Sequence, residues 1–87
     1  MAIKAKANWF VESVRPQRDY TLVLDFANGE TRVYDARELL EDAAFMPLRD
    51  VAFFLKARRA GHSVVWSEDI DIAPEYLFEK SVPLRRD

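Results

Sequence analysis

RDYTLVLDFANGETRVYDARELL, residues 18–40, decides the fold of this chain. Tyr20, Leu22, Leu24 and Phe26 fall on one side of an alternating run and Thr21, Val23 and Asp25 on the other, the period of a half-buried strand. Asn28-Gly29 supplies residues that tolerate positive φ, and Thr31 to Tyr34 resumes a β-rich run, so the stretch predicts a β-hairpin. Asp35 with Glu38 three residues later then reads as a capping-box-like helix start, whose carboxylates also favour the positive end of the helix dipole. A short helix from Ala36 to Asp42, burying Leu39 and Leu40, is expected.

Upstream, residues 9–17 alternate imperfectly, and Pro16 marks an edge position or a strand end. Downstream, PLRDVAFFLKARRAGH (47–62) is ambiguous. Leu48, Val51, Ala52 and Leu55 match helical spacing, whereas Phe53, Leu55 and Ala57 alternate with Phe54, Lys56 and Arg58 as a strand would. Local pattern favours the helix. Gly61-His62 reads as a turn, SVVWS (63–67) as a strand that DIDI continues by alternation, and Pro74 as the first position of a short closing helix. Residues beyond Lys80 read as a polar, flexible tail.

The whole chain is 87 residues, room for one domain, which at this length hides only about 60–65 % of its unfolded surface. Half of it is hydrophobic (49 %) and only two residues are glycine, which suits a packed core and argues against disorder. Thirteen Lys and Arg against fifteen Asp and Glu leave a charge of −2, so overall charge draws the chain to neither nucleic acid nor an anionic membrane. The absence of cysteine removes disulfides, thiolate zinc sites and thiol nucleophiles, and suits a reducing compartment. No stretch has the apolar run of a signal peptide or a membrane span, so a cytoplasmic protein is expected.

Four groups of side chains are candidates for function. Asp69, Asp71 and Glu75 offer oxygen ligands for a hard-cation site, but they lack the glycine and glutamate spacing of a calcium loop, and Asp71 reads instead as a cap for the next helix. Trp66 reads as a packing residue; with its edge exposed beside Tyr76, the pair would form a partner surface. Arg49, Lys56, Arg58 and Arg59 are the densest basic run. On a strand over 54–58, Lys56 and Arg58 would share one face, and the run would make a small cationic stripe for nucleic acid, with Arg85 and Arg86 adding to it, or an edge guard against aggregation. His62 has no nucleophile arrangement around it, and two glycines form no phosphate loop. No catalytic residue, cofactor or metal site is expected.

The succession RDYTLVLDFANGETRVYDARELL, PLRDVAFFLKA, SVVWSEDIDIAPEYLF resembles the DUF2442 family of small bacterial proteins over residues 9–79. Phe26, Asn28, Gly29, Asp35, Trp66, Asp71, Ile72 and Pro74 carry the likeness. The resemblance implies an α+β domain: a small antiparallel sheet from two hairpins plus an N-terminal strand, with two or three short helices. It also implies a strand over Phe54 to Arg58, pairing with Ser63 to Trp66 around Gly61-His62. Relatives occur alone or fused to a helix-turn-helix domain, and fewer than ten residues follow Glu79 here, so the stand-alone form is expected. For such members the resemblance implies a small protein partner of the DUF4160 type in an antitoxin-like pair. Self-association through a sheet edge is a further expectation.

Overall fold

The computed structural model describes residues 9–84 and is an α+β domain with two antiparallel sheets. The first sheet has four strands and the second three. Strands β1 (Val11–Pro16), β2 (Thr21–Phe26) and β3 (Thr31–Asp35) follow one another as hairpins. As the alternation requires, Leu22, Leu24 and Phe26 are buried. On the opposite face, Ser13 and Thr31 each donate to the Asp25 carboxylate at 2.6 Å, a polar rung across three strands.

Both hairpin turns have one geometry. In the second, Gly29 N–H donates to Phe26 O and Phe26 N–H to Glu30 O, both at 2.9 Å, with Gly29 at φ 91°. In the first, Tyr20 N–H donates to Gln17 O at 3.1 Å and Gln17 N–H to Thr21 O at 2.9 Å, with Tyr20 at φ 69°. These are three-residue loops closed by a left-handed residue. The residue before it, Asn28 or Asp19, accepts from the backbone N–H two positions on. Glycine adopts that backbone freely, but a tyrosine there is strained, by about 1 kcal/mol or more.

Three aspartates divide the following segment. Asp35, Asp42 and Asp50 all have extended backbone, and each accepts from the N–H two residues on, at Arg37, Ala44 and Ala52. A capping residue leaves the helical region of φ/ψ, so a cap every seven or eight residues allows only short turns. The result is a 3-10 helix over Ala36–Glu41, a second over Ala43–Arg49, and one α-turn, α1 (Val51–Phe54). The helical spacing from Leu48 to Leu55 therefore fails at Asp50. Leu39 is buried as expected, while Leu40 is half-buried.

The expected strand over Phe54 to Arg58 is also displaced. Phe54 closes α1, and the strand is β4 (Arg58–Ala60), which pairs with β5 (Ser63–Ser67) around Gly61-His62. DIDI does not prolong β5: the chain turns at Glu68-Asp69 and returns as β6 (Ile70–Ile72). Helix α2 (Pro74–Lys80) follows with Pro74 in its first turn. Ser81 to Leu84 are not a loose tail. Ser81 is buried, and β7 (Val82–Pro83) pairs with β3; the rest of that expectation, with Arg85 and Arg86, lies outside the described residues. Arg32 secures this end, donating to Ser81 Oγ (2.8 Å), Ser81 O (2.7 Å) and Glu30 (2.6 Å).

One core joins both sheets. Tyr20 sets its ring against Phe54 (5.2 Å between centroids) and donates its hydroxyl to Arg49 O, 29 residues away. Phe54 in turn lies 5.9 Å from Trp66, whose indole N–H donates to Phe54 O at 2.9 Å. That carbonyl, at the end of α1, also accepts from Ala57 N–H at 3.2 Å, so it serves two donors. Among the described residues no helix is long and apolar enough to cross a membrane.

Two substitutions measure this tie. Tyr20→Phe removes one hydrogen bond and is expected to lower unfolding free energy in urea by about 1 kcal/mol. Trp66→Phe removes the indole donor and leaves a void, and is expected to cost about 2 kcal/mol. Values within experimental error of wild type would contradict the tie.

Candidate functional site

The 3-10 segment and the β6–α2 junction leave an open groove of about 360 Å³ between them, lined by Leu39, Asp42, Phe45, Asp71, Ile72, Ala73 and Tyr76. Its floor is apolar because Leu39 and Ile72 belong to the core. Asp42 is placed by its own capping role: Oδ1 holds the Ala44 N–H at 2.9 Å, which fixes the carboxylate at the rim. Asp71 is exposed between buried Ile70 and Ile72, as alternation along β6 dictates. Its carboxylate makes no hydrogen bond or ion pair among the described residues.

Tyr76 is held in the groove wall by a carboxylate it shares. Tyr34, at 1 % exposure, donates to Glu38 Oε2 at 2.5 Å and Tyr76 donates to the same oxygen at 2.8 Å. The Tyr34 hydroxyl, then that of Tyr76, holds Glu38 below the usual carboxylate range. Burial, reinforced by Glu38, raises both phenols, Tyr34 far above the ordinary tyrosine value. At neutral pH both tyrosines are thus neutral donors and Glu38 an ionised acceptor. The arrangement clamps the Tyr76 ring in place.

Several expected sites resolve differently. Trp66 is 3 % exposed and belongs to the core, so it does not pair with Tyr76 on a surface; only Tyr76, half-buried, reaches the groove. Asp71 is not a cap: α2 starts from Ala73 without a side-chain cap, and Pro74 pre-sets its first turn. Asp35 does cap, but Glu38 is drawn to the two tyrosines rather than completing a capping box. Asn28 and Gly29 form their turn, with Gly29 alone at positive φ.

The basic stripe disperses. Lys56 lies in the turn after α1, Arg58 and Arg59 are successive residues of β4 and so point to opposite faces, and Arg49 binds Leu40 O through Nε at 2.8 Å. His62 stacks on Phe10, with centroids 3.8 Å apart. Asp69 and Glu75 are exposed, and among the described residues no group of three His, Asp or Glu side chains could hold a metal ion.

Sequence reasoning missed Leu39, Asp42 and Phe45 as a wall. The signal was the recurrence of aspartate at 35, 42 and 50, which divides the segment and turns Phe45 toward the groove.

The perturbed groups set the response to pH. Asp25, Asp35 and Glu38 are all lowered, chiefly by hydrogen bonds from Ser13, Arg37 and Tyr34 respectively. Stability from lowered carboxylates is complete above their unfolded values, about 3.9 to 4.3, and is lost as pH falls through the folded ones. Raised tyrosines act oppositely: their contribution is complete below about pH 10 and declines above it. Melting temperature against pH should therefore fall at both ends, and Glu38→Gln should flatten the acid limb. An acid limb unchanged in that variant would contradict the clamp.

Neither the curated proteins nor the solved structures gave a match. A family model described as a protein of unknown function, DUF2442, matches residues 11–83, spanning both sheets, the capped segment and α2, and the chain belongs to that family.

Proposed function

We propose that this domain is a non-enzymatic protein-interaction module that receives a partner polypeptide in the groove between the 3-10 segment and α2. The observation that carries the reading is the groove itself: an apolar floor, two aromatic side chains and two rim carboxylates, held by caps and by the tyrosine clamp. Rigid aromatic anchors beside a few placed polar groups are what peptide and protein recognition uses. Met46, next to Phe45, is 45 % exposed and extends the apolar surface of the same segment.

The DUF2442 membership makes a small companion of the DUF4160 type, in a cytoplasmic antitoxin-like or regulatory pair, the first partner to test. The groove supports this over the nucleic-acid reading, since neutralising a phosphate backbone needs several cations on one face and Arg49, Lys56, Arg58 and Arg59 do not share one.

A photo-crosslinking residue placed at Phe45 tests the proposal in cells of the native host. One covalent adduct with a single small polypeptide is expected, and none when the same residue replaces Arg18 in the first hairpin turn. No adduct at position 45, or equal labelling at both positions, would remove the groove as an interaction site.

A further inference from the structure

Charge is unevenly distributed around the groove. The stretches that line it, residues 39–45 and 71–76, hold four Asp and Glu (Glu41, Asp42, Asp71 and Glu75) and no Lys or Arg. Of the flanking cations, Arg49 is engaged by Leu40 O, and Lys80 sits 5.9 Å over the Tyr76 ring. Asp71 is unpaired among the described residues, and Asp42 spends one oxygen on its cap. The groove is therefore apolar at its floor and negative at its rim.

From this complementarity we infer that the groove's occupant is a basic amphipathic segment of a second protein, with aliphatic or aromatic side chains packed on Leu39, Phe45 and Ile72 and a lysine or arginine reaching Asp42 and Asp71. Long basic side chains suit both parts, since their methylene stems cover apolar surface while the charged head stays at the wet rim. Rim charges of this kind steer encounter and fix register. The inference rests on the interaction reading above and adds the chemistry of the partner.

The test uses the full chain and a synthetic peptide alternating Arg and Lys with Leu and Phe, beside a version with Glu at every basic position. Binding is followed by amide and side-chain chemical shifts. The basic peptide should shift Phe45, Asp71, Ile72, Ala73 and Tyr76 and weaken as salt rises, while the acidic version should not bind. Asp42→Asn with Asp71→Asn removes both charges and keeps a capping side chain at position 42, so melting should be unchanged while affinity falls about fivefold.

Equal binding of the acidic peptide, shifts elsewhere on the surface, or unchanged affinity in the double variant would overturn the inference. So would occupation of the groove by a second copy, seen as a dimer in sedimentation that the double variant abolishes. A crosslinked partner at Phe45 whose recovery the double variant does not reduce would overturn the basic partner and leave the interaction reading standing; absence of any adduct removes the reading itself.

Discussion

Tyr20 holds a strained left-handed backbone and its side chain reaches the helical segment, a contact that joins the two sheets together with the Val11 N–H to His62 O bond at 3.1 Å and the Phe10–His62 stack. The hairpin twin at Gly29 has the same turn without the strain. What Tyr20 gains is a ring edge on Phe54, a hydroxyl bond to Arg49 O, and a backbone carbonyl that accepts from Ala36 N–H at 2.8 Å. Phe54 passes the contact to Trp66, which anchors β5. A turn of the first sheet, the capped segment and the second sheet thus share one chain of packed rings. In a domain whose net stability is on the order of 5–10 kcal/mol, a linkage of a few kcal/mol decides whether the sheets behave as one unit.

The groove depends on the same economy of parts. Asp42 breaks the helix, caps the next turn and supplies a rim charge. Glu38 leaves its expected cap partner and instead fixes the Tyr76 ring. Local structure and surface chemistry come from the same side chains, so the groove is built into the fold.

Legibility in the sequence followed the range of the interactions. The β2–β3 hairpin, the Gly61-His62 turn, the Asp35 cap and the Pro74 start were readable because each rests on residues within a few positions. The segment from Asp42 to Ala57 was not, because helical spacing spoke for one element while Asp42 and Asp50 stopped it, and only repeated caps revealed the division. β4 was misplaced for the same reason, since Phe54 is taken into α1 by contacts with Tyr20 and Trp66 far along the chain. The pairing of β7 with β3 depends on Arg32 meeting Ser81, 49 residues apart, which no local pattern reports. Tyr76 was legible as a candidate, whereas its wall partners Leu39, Asp42 and Phe45 required the tertiary path.

Hydrogen exchange of the Trp66 indole N–H, measured beside the amides of Leu22 and Leu24 in β2, tests the joining of the two sheets most directly. If the Tyr20–Phe54–Trp66 contact unites them, the indole should exchange with the same opening free energy as those amides, through global unfolding. An indole that exchanges far faster than the β2 amides would show the second sheet opening by itself, and would contradict the account.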